Sequence, residues 1–178
     1  KNIANLTFMK TAILFPGQGS QVVGMGKDLN DNFFQAKHVF EEVNEALKID
    51  LNKIMFEGPI EELTQTQNAQ PALMAVSIAI IKVLEEDLGK KFSDLCSITA
   101  GHSLGEYSAL CAAGSFTLNQ TTKLLKVRGN AMASCAAKSD GIMAAILGLD
   151  TDTVKELAKK ASEGEVCQVA NDNSTGQV

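Results

Sequence analysis

The 178 residues predict an α/β fold built on a parallel sheet, and three observations carry that prediction. Residues 11–15 (TAILF) form a continuous apolar run closed by Pro16-Gly17, the pattern of a strand buried on both faces. Residues 96–100 (CSITA) read as a second short buried strand, and 104–113 (LGEYSALCAA) as a helix with a small inner face. Between those two stands Gly101-His102-Ser103-Leu104-Gly105, which has the G-x-S-x-G spacing of a nucleophile elbow.

That pentapeptide organises the rest. The serine must sit on a turn with strained dihedrals, and glycines two residues to either side let strand and helix pack closely. Its hydroxyl then points off the sheet edge, and the amides that open the next helix face any oxyanion formed beside it. This is a geometry suited to acyl transfer. Strand before and helix after is the context that separates a working elbow from a chance match in a chain with 14 glycines.

Composition limits the alternatives. With 45% hydrophobic and 21% charged residues, the chain is ordinary globular protein with a core of its own. A net charge of -5 argues against nucleic acid or an anionic membrane as the main partner. The pairs Lys90-Lys91 and Lys159-Lys160 read as solvated helix ends. Cys96, Cys111, Cys135 and Cys167 lie far apart among apolar neighbours, so they read as buried thiols with no metal or disulfide role, in keeping with a reducing cytosol. The apolar run at 12–15 is too short for a signal peptide or a membrane span, and the expected location is cytoplasmic.

In chain order, residues 1–9 are polar and unpatterned and read as an extension, with the true start nearer Met9. The first strand ends in Pro16-Gly17-Gln18-Gly19-Ser20-Gln21, a loop at the carboxyl end of a strand, where open α/β sheets make ligand contacts. It lacks the spacing of a nucleotide-binding loop; Gln18 is either an ordinary turn residue or a donor to a substrate oxygen. Phe33, Ala36, Phe40, Val43 and Leu47 recur at three and four, which predicts an amphipathic helix over 33–47 with His38 facing solvent beside Glu41 and Glu42. Gly58-Pro59 should start a short helix at Ile60, where the adjacent Glu61 and Glu62 point apart and form no acid–base pair. Gln70-Pro71 opens a helix over 72–84 that is apolar almost all round and belongs in the core, with Met74 as packing. Glu85, Glu86, Asp87 and Gly89 close it.

Residues 118–137 predict another helix, with Leu124, Leu125, Ala131, Met132 and Cys135 on one stripe and Arg128 among them. A guanidinium aimed inward needs an anion. Two readings stand at this point: a buried pair with a carboxylate such as Glu106, or a two-pronged grip on a substrate carboxylate. Residues 141–149 read as a strand, 151–162 as a helix opened by Asp150 or Thr151, and 165–170 as a strand. Residues 171–176 form a turn cluster, and Gln177-Val178 begins a further strand, so the chain is expected to stop inside a small second subdomain. The domain boundaries so predicted are 1–140 and 141–178.

With these residues assembled, the chain resembles the malonyl-CoA:acyl carrier protein transacylases of bacterial fatty-acid synthesis. Five stretches occur in the family's order and approximate spacing. They are residues 15–21 (FPGQGSQ), 70–73 (QPAL), 101–107 (GHSLGEY), 127–129 (VRG) and 171–178 (NDNSTGQV).

The resemblance implies an α/β hydrolase-like parallel-sheet core over 1–140 and the start of a ferredoxin-like subdomain over 141–178. It implies Ser103 as the nucleophile that takes malonyl from malonyl-CoA and passes it to the phosphopantetheine thiol of acyl carrier protein. It further implies the amides of Gln18 and Leu104 as oxyanion hole, and Arg128, Gln70 and His102 as substrate-binding residues. No metal and no cofactor beyond the substrate itself are expected, and neither nucleic acid nor membrane is an expected partner. The family's general base is a histidine that follows the subdomain, and the 178 residues hold only His38 and His102. Strand alternation turns the His102 ring away from the Ser103 oxygen, which suits a supporting role, and Glu106 reads as a structural carboxylate. A serine thioesterase or esterase, and a carrier-protein-binding fragment without a base, are the competing readings. Arg128 separates the first of these from a transferase of carboxylated acyl groups.

Overall fold

Two strands pair in parallel, β1 (Ala12–Phe15) and β2 (Ile98–Gly101), with Ala12 opposite Ile98 and Phe15 opposite Gly101. The computed structural model describes residues 11–138 and 141–178, and it divides into one compact unit up to residue 138 and another from residue 139. The expected extension over 1–9 lies outside the described residues.

Only one face of the β1–β2 pair is buried. Phe15, on that face, packs with Ile81, Phe92 and Ala109. Leu14 and Ile98, on the other face, are 73% and 63% exposed, which corrects the expectation of a strand buried on both sides. Among the described residues nothing covers that face, so the apolar run is held as a strand by its backbone partner and by the packing of its Phe15 face.

The connection between the strands passes through α1 (Lys27–Asn32), α2 (Phe34–Leu47), α3 (Leu51–Glu57), α4 (Ile60–Thr64), α5 (Thr66–Leu88) and α6 (Phe92–Leu95). After β2 come α7 (Leu104–Ala112) and α8 (Leu118–Ala136). The main core gathers α2, α3, α4 and α5 around Phe40, Leu51, Met55, Leu63 and Met74, closed by Leu104 of α7 and Leu125 of α8. Each such side chain contributes roughly 1.5–3 kcal/mol by leaving water. In α2 the predicted stripe buries Ala36, Phe40 and Val43, joined by Val39, while His38 is exposed.

Two helices differ from their sequence patterns. Helix α5 begins at Thr66, so Pro71 lies inside it rather than at its start. The missing Pro71 amide leaves one carbonyl of the helix ladder without its donor. Burial offsets that cost: Asn68, Ala69, Gln70 and Pro71 are all buried, and Asn68 Nδ2 donates to the Glu62 carbonyl at 3.0 Å. Helix α8 buries Thr121, Thr122, Leu125 and Gly129. Leu124 and Met132, on the predicted stripe, are 41% and 44% exposed, and Ala131 and Cys135 are exposed as well. The threonines can face inward because each hydroxyl donates to a carbonyl one turn back, Thr121 to Thr117 at 2.9 Å and Thr122 to Leu118 at 2.8 Å.

In the second unit α9 (Thr151–Ala161) starts at Asp150, whose carboxylate accepts from the Thr153 amide at 2.8 Å. The strands expected over 141–149 and 165–170 do not form. Among the described residues of this unit, isolated antiparallel bridges join Gln177 to Leu147 and to Ser174, the first flanked by reciprocal bonds between Ile146 and Val178 at 2.8 and 3.1 Å. Extended backbone becomes a strand when a neighbouring strand takes its N–H and C=O groups, and among the described residues no strand pairs with 142–145 or 165–170, where the Glu165 amide instead closes a turn onto the Ser162 carbonyl at 2.6 Å. The cysteines also need correction: Cys96 and Cys111 are partly buried, whereas Cys135 and Cys167 are exposed.

Candidate active site

Ser103 is the only residue between the end of β2 and the start of α7 apart from His102, and this short turn forces its backbone to φ 53° and ψ -112°. A non-glycine residue held there stores on the order of 1–3 kcal/mol, which the surrounding packing must supply. The two glycines of the motif provide that packing. A Cβ on Gly101 would run into the carbonyl of Gly105, and one on Gly105 would run into the carbonyl oxygen of Phe15. Strand, turn and helix therefore touch backbone to backbone, with the His102 amide donating to Phe15 O at 3.1 Å.

The helix opening beyond Ser103 is ordered by two bonds, Gly105 N to His102 O at 2.8 Å and Glu106 N to Ser103 O at 3.2 Å. Leu104 is the first helical residue; among the described residues its amide is not taken by the backbone of the chain. The positive end of the α7 dipole thus lies beside the exposed serine hydroxyl.

Arg128 reaches this hydroxyl from α8. Its Nη2 donates to Ser103 Oγ at 2.8 Å and its Nη1 to Gln70 Oε1 at 2.6 Å. The guanidinium carbon stands 5.8 Å from the centre of the Tyr107 ring, a cation–π contact worth about 0.5–1 kcal/mol. Among the described residues no carboxylate pairs with Arg128, so the pairing with Glu106 is not formed; Glu106 is exposed on α7. Gly129 brings the arginine close, since a Cβ there would lie 2.6 Å from the Gln67 Cα of α5.

Gln70 is fully buried and spends both halves of its amide. Oε1 accepts from Arg128, while Nε2 donates to Thr66 Oγ1 at 2.7 Å and lies 3.3 Å from Met132 Sδ. Thr66 in turn donates to Gln18 Oε1 at 3.0 Å, tying the loop after β1 to the start of α5. The His102 ring lies against that same loop: a Cβ on Gly17 would stand 2.5 Å from its Nδ1. Ser103, Arg128, Gln70 and Gln18 are thus joined through hydrogen bonds, and His102 backs the loop that carries Gln18.

Sequence reasoning missed Thr66 and Tyr107 as members of this constellation. Thr66 stands one helical turn before Gln70, a signal hidden by placing the helix start after it. Tyr107 lies four residues beyond Ser103 on α7, the same spacing. A separate groove of about 470 Å³, lined by Phe34, His38, Ile78, Lys82, Cys111 and Phe116 among others, holds no comparable cluster. Burial there pushes the Cys111 thiol up. Among the described residues no group of acids, histidines and cysteines is placed to hold a metal, and no helix is long and apolar enough to cross a membrane.

The acyl transferase domain model matches residues 13–178. A malonyl CoA-acyl carrier protein transacylase of Bacillus subtilis (strain 168) is 45% identical over 170 residues, 95% of this chain and 52% of that protein. An acyl-carrier-protein-S-malonyltransferase from Bartonella henselae, known from its crystal structure, is 50% identical. It matches with a TM-score of 0.86 over 95% of this chain and 54% of that one. A type II PKS acyl-carrier protein in complex with its malonyl-transacylase gives 38% identity and a TM-score of 0.83, over 96% of this chain and 54% of that one. The chain spans about half the length of the curated relatives it matches. A family match that runs from β1 to Val178, through the strained serine and its arginine, has one consequence: the chain belongs to the acyl transferase domain family.

Proposed function

We propose that the full-length protein transfers a malonyl group from malonyl-CoA to the phosphopantetheine thiol of acyl carrier protein through a malonyl ester on Ser103. Ser103 Oγ attacks the thioester carbonyl, the carbon–sulfur bond breaks, and the serine proton leaves with the coenzyme A thiol. The second half runs in reverse: the carrier thiol attacks the ester, the carbon–oxygen bond breaks, and serine recovers a proton. The base that moves this proton is, by the family resemblance, a histidine beyond Val178. The backbone amides of Gln18 and Leu104 hold the oxyanion, Arg128 holds the malonyl carboxylate, Gln70 orients Arg128, and His102 supports the Gln18 loop. Residues 1–140 act as the hydrolase-like core and 141–178 as the start of a ferredoxin-like subdomain. The reaction needs no further cofactor and takes place in the cytoplasm.

The observation that carries this reading is the Arg128 guanidinium, which reaches Ser103 at 2.8 Å and has no carboxylate partner among the described residues. A hydrolase of neutral acyl groups has no use for a cation in that place. The test is transfer of labelled malonyl from coenzyme A to carrier protein by the full-length protein and by its Arg128→Ala variant. The variant should lose at least about tenfold in kcat/KM for malonyl-CoA and shift in preference toward acetyl-CoA. An unchanged preference for malonyl would contradict the assignment.

A further inference from the structure

We infer that Thr66 is a positioning residue for acyl-group selection, holding the Gln18 loop and the Arg128 guanidinium at one fixed separation. The inference rests on the acyl-transfer reading above and deepens it. It starts from the bonding capacity of each group. A guanidinium can only donate, so Gln70 must turn its oxygen toward Arg128 Nη1, at 2.6 Å. The Gln70 nitrogen then has to face Thr66 Oγ1, at 2.7 Å, and the threonine oxygen accepts. Its own hydrogen is left to donate to Gln18 Oε1, at 3.0 Å. The direction of every bond follows from the charge at one end, and each amide orientation is dictated by the one before it.

Thr66 is the one member of this relay that both accepts and donates through a single atom. It is half-buried at the first residue of α5, and Gln18 lies 48 residues earlier in the chain, in the loop after β1. One end of the relay bears the cation for a terminal carboxylate. The other end bears the loop whose backbone faces the reacting carbonyl. In a malonyl thioester those two groups are separated by a single methylene carbon, so their two anchors must keep a matching distance. An acetyl thioester uses only one anchor and does not sense that distance. Thr66 therefore acts on the choice between acyl chains through Gln18 and Gln70, without touching the reacting atoms.

The experiment compares kcat and KM for malonyl-CoA and acetyl-CoA in the full-length protein and in Thr66→Val, Thr66→Ala and Thr66→Ser variants, each checked for a cooperative thermal transition. Val keeps the shape and removes both bonds; Ala removes them with a better helix former; Ser keeps the hydroxyl. The Val and Ala variants should lose about tenfold or more in kcat/KM for malonyl-CoA and change by less than about threefold for acetyl-CoA. Ser should restore the preference. A loss shared equally by both substrates, or no loss in whichever of the two hydroxyl-free variants folds, overturns the role of Thr66 while leaving the acyl-transfer reading intact. If the unmodified protein forms no malonyl adduct at Ser103, that reading falls and this inference falls with it.

Discussion

The two units of the chain meet the same physical demand in opposite ways. In the first, α5 is wrapped by α2, α7 and α8, and its side chains fill a core closed from several directions. In the second, α9 buries Val154 alone among its residues, and the flanking Ile142 and Val166 are 95% and 89% exposed. Both units contain apolar runs that read as strands. The run at 12–15 becomes one because 98–101 lies alongside its whole length to take its hydrogen bonds, whereas the run at 141–149 is bonded only at 146–148 and the run at 165–170 has no strand partner among the described residues. Composition nominates a strand, and a partner decides it.

Glycines give the sharpest way to break the contrast. A Gly105→Ala substitution puts a methyl against the Phe15 carbonyl, where only backbone could give way. It should cost at least about 3 kcal/mol in chemical denaturation of the first unit, or abolish its folding. Gly148→Ala in the second unit meets open space, and only its φ of 84° resists; it should cost about 1 kcal/mol. Equal costs at the two sites would show that the elbow is not packed backbone to backbone.

Hydrogen exchange sharpens the comparison by a second route. Amides in the middle of α5 should open only with global unfolding of their unit, while those of 142–145 and 165–170 should exchange within seconds to minutes. Comparable protection in both would mean that the second unit finds partners for its extended runs. A smaller effect concerns Glu85, which links α5 to α6. Burial pushes its carboxyl up, but hydrogen bonds from Lys82 at 2.7 Å and the Phe92 amide at 2.8 Å outweigh that and hold it below the usual carboxylate range. A lowered folded value contributes stability above the unfolded one and loses it as pH falls through the folded one. Glu85→Gln should therefore destabilise the first unit by less than about 1 kcal/mol at neutral pH, a difference that closes as pH drops below about 4.

What could be read from the sequence follows the same division. The elbow, the α2 stripe and the capped start of α9 are local patterns, and Asp150, Ala36 and Ser103 each stand where neighbours in the chain place them. The start of α5 was hidden because its first turn is polar and Pro71 looks like a beginning; what carries it is close packing against Gly129 of α8 and the bond from Asn68 to the Glu62 carbonyl. The face of α8 was hidden because contact there uses small residues, Gly129 and two self-satisfied threonines, rather than the exposed Leu124 and Met132. The relay from Gln18 to Arg128 joins residues up to 58 apart at a single step, and no spacing announces such a contact.

The central claim is that Ser103, on its strained turn beside Arg128, accepts an acyl group from a carboxylated thioester. Intact-protein mass after brief incubation of the full-length protein with malonyl-CoA tests it most directly, with Ser103→Ala as the control. The account predicts an increase equal to one malonyl group on the unmodified protein and none on the variant. An adduct on both would place the nucleophile elsewhere, and no adduct on either would contradict acyl transfer at this site.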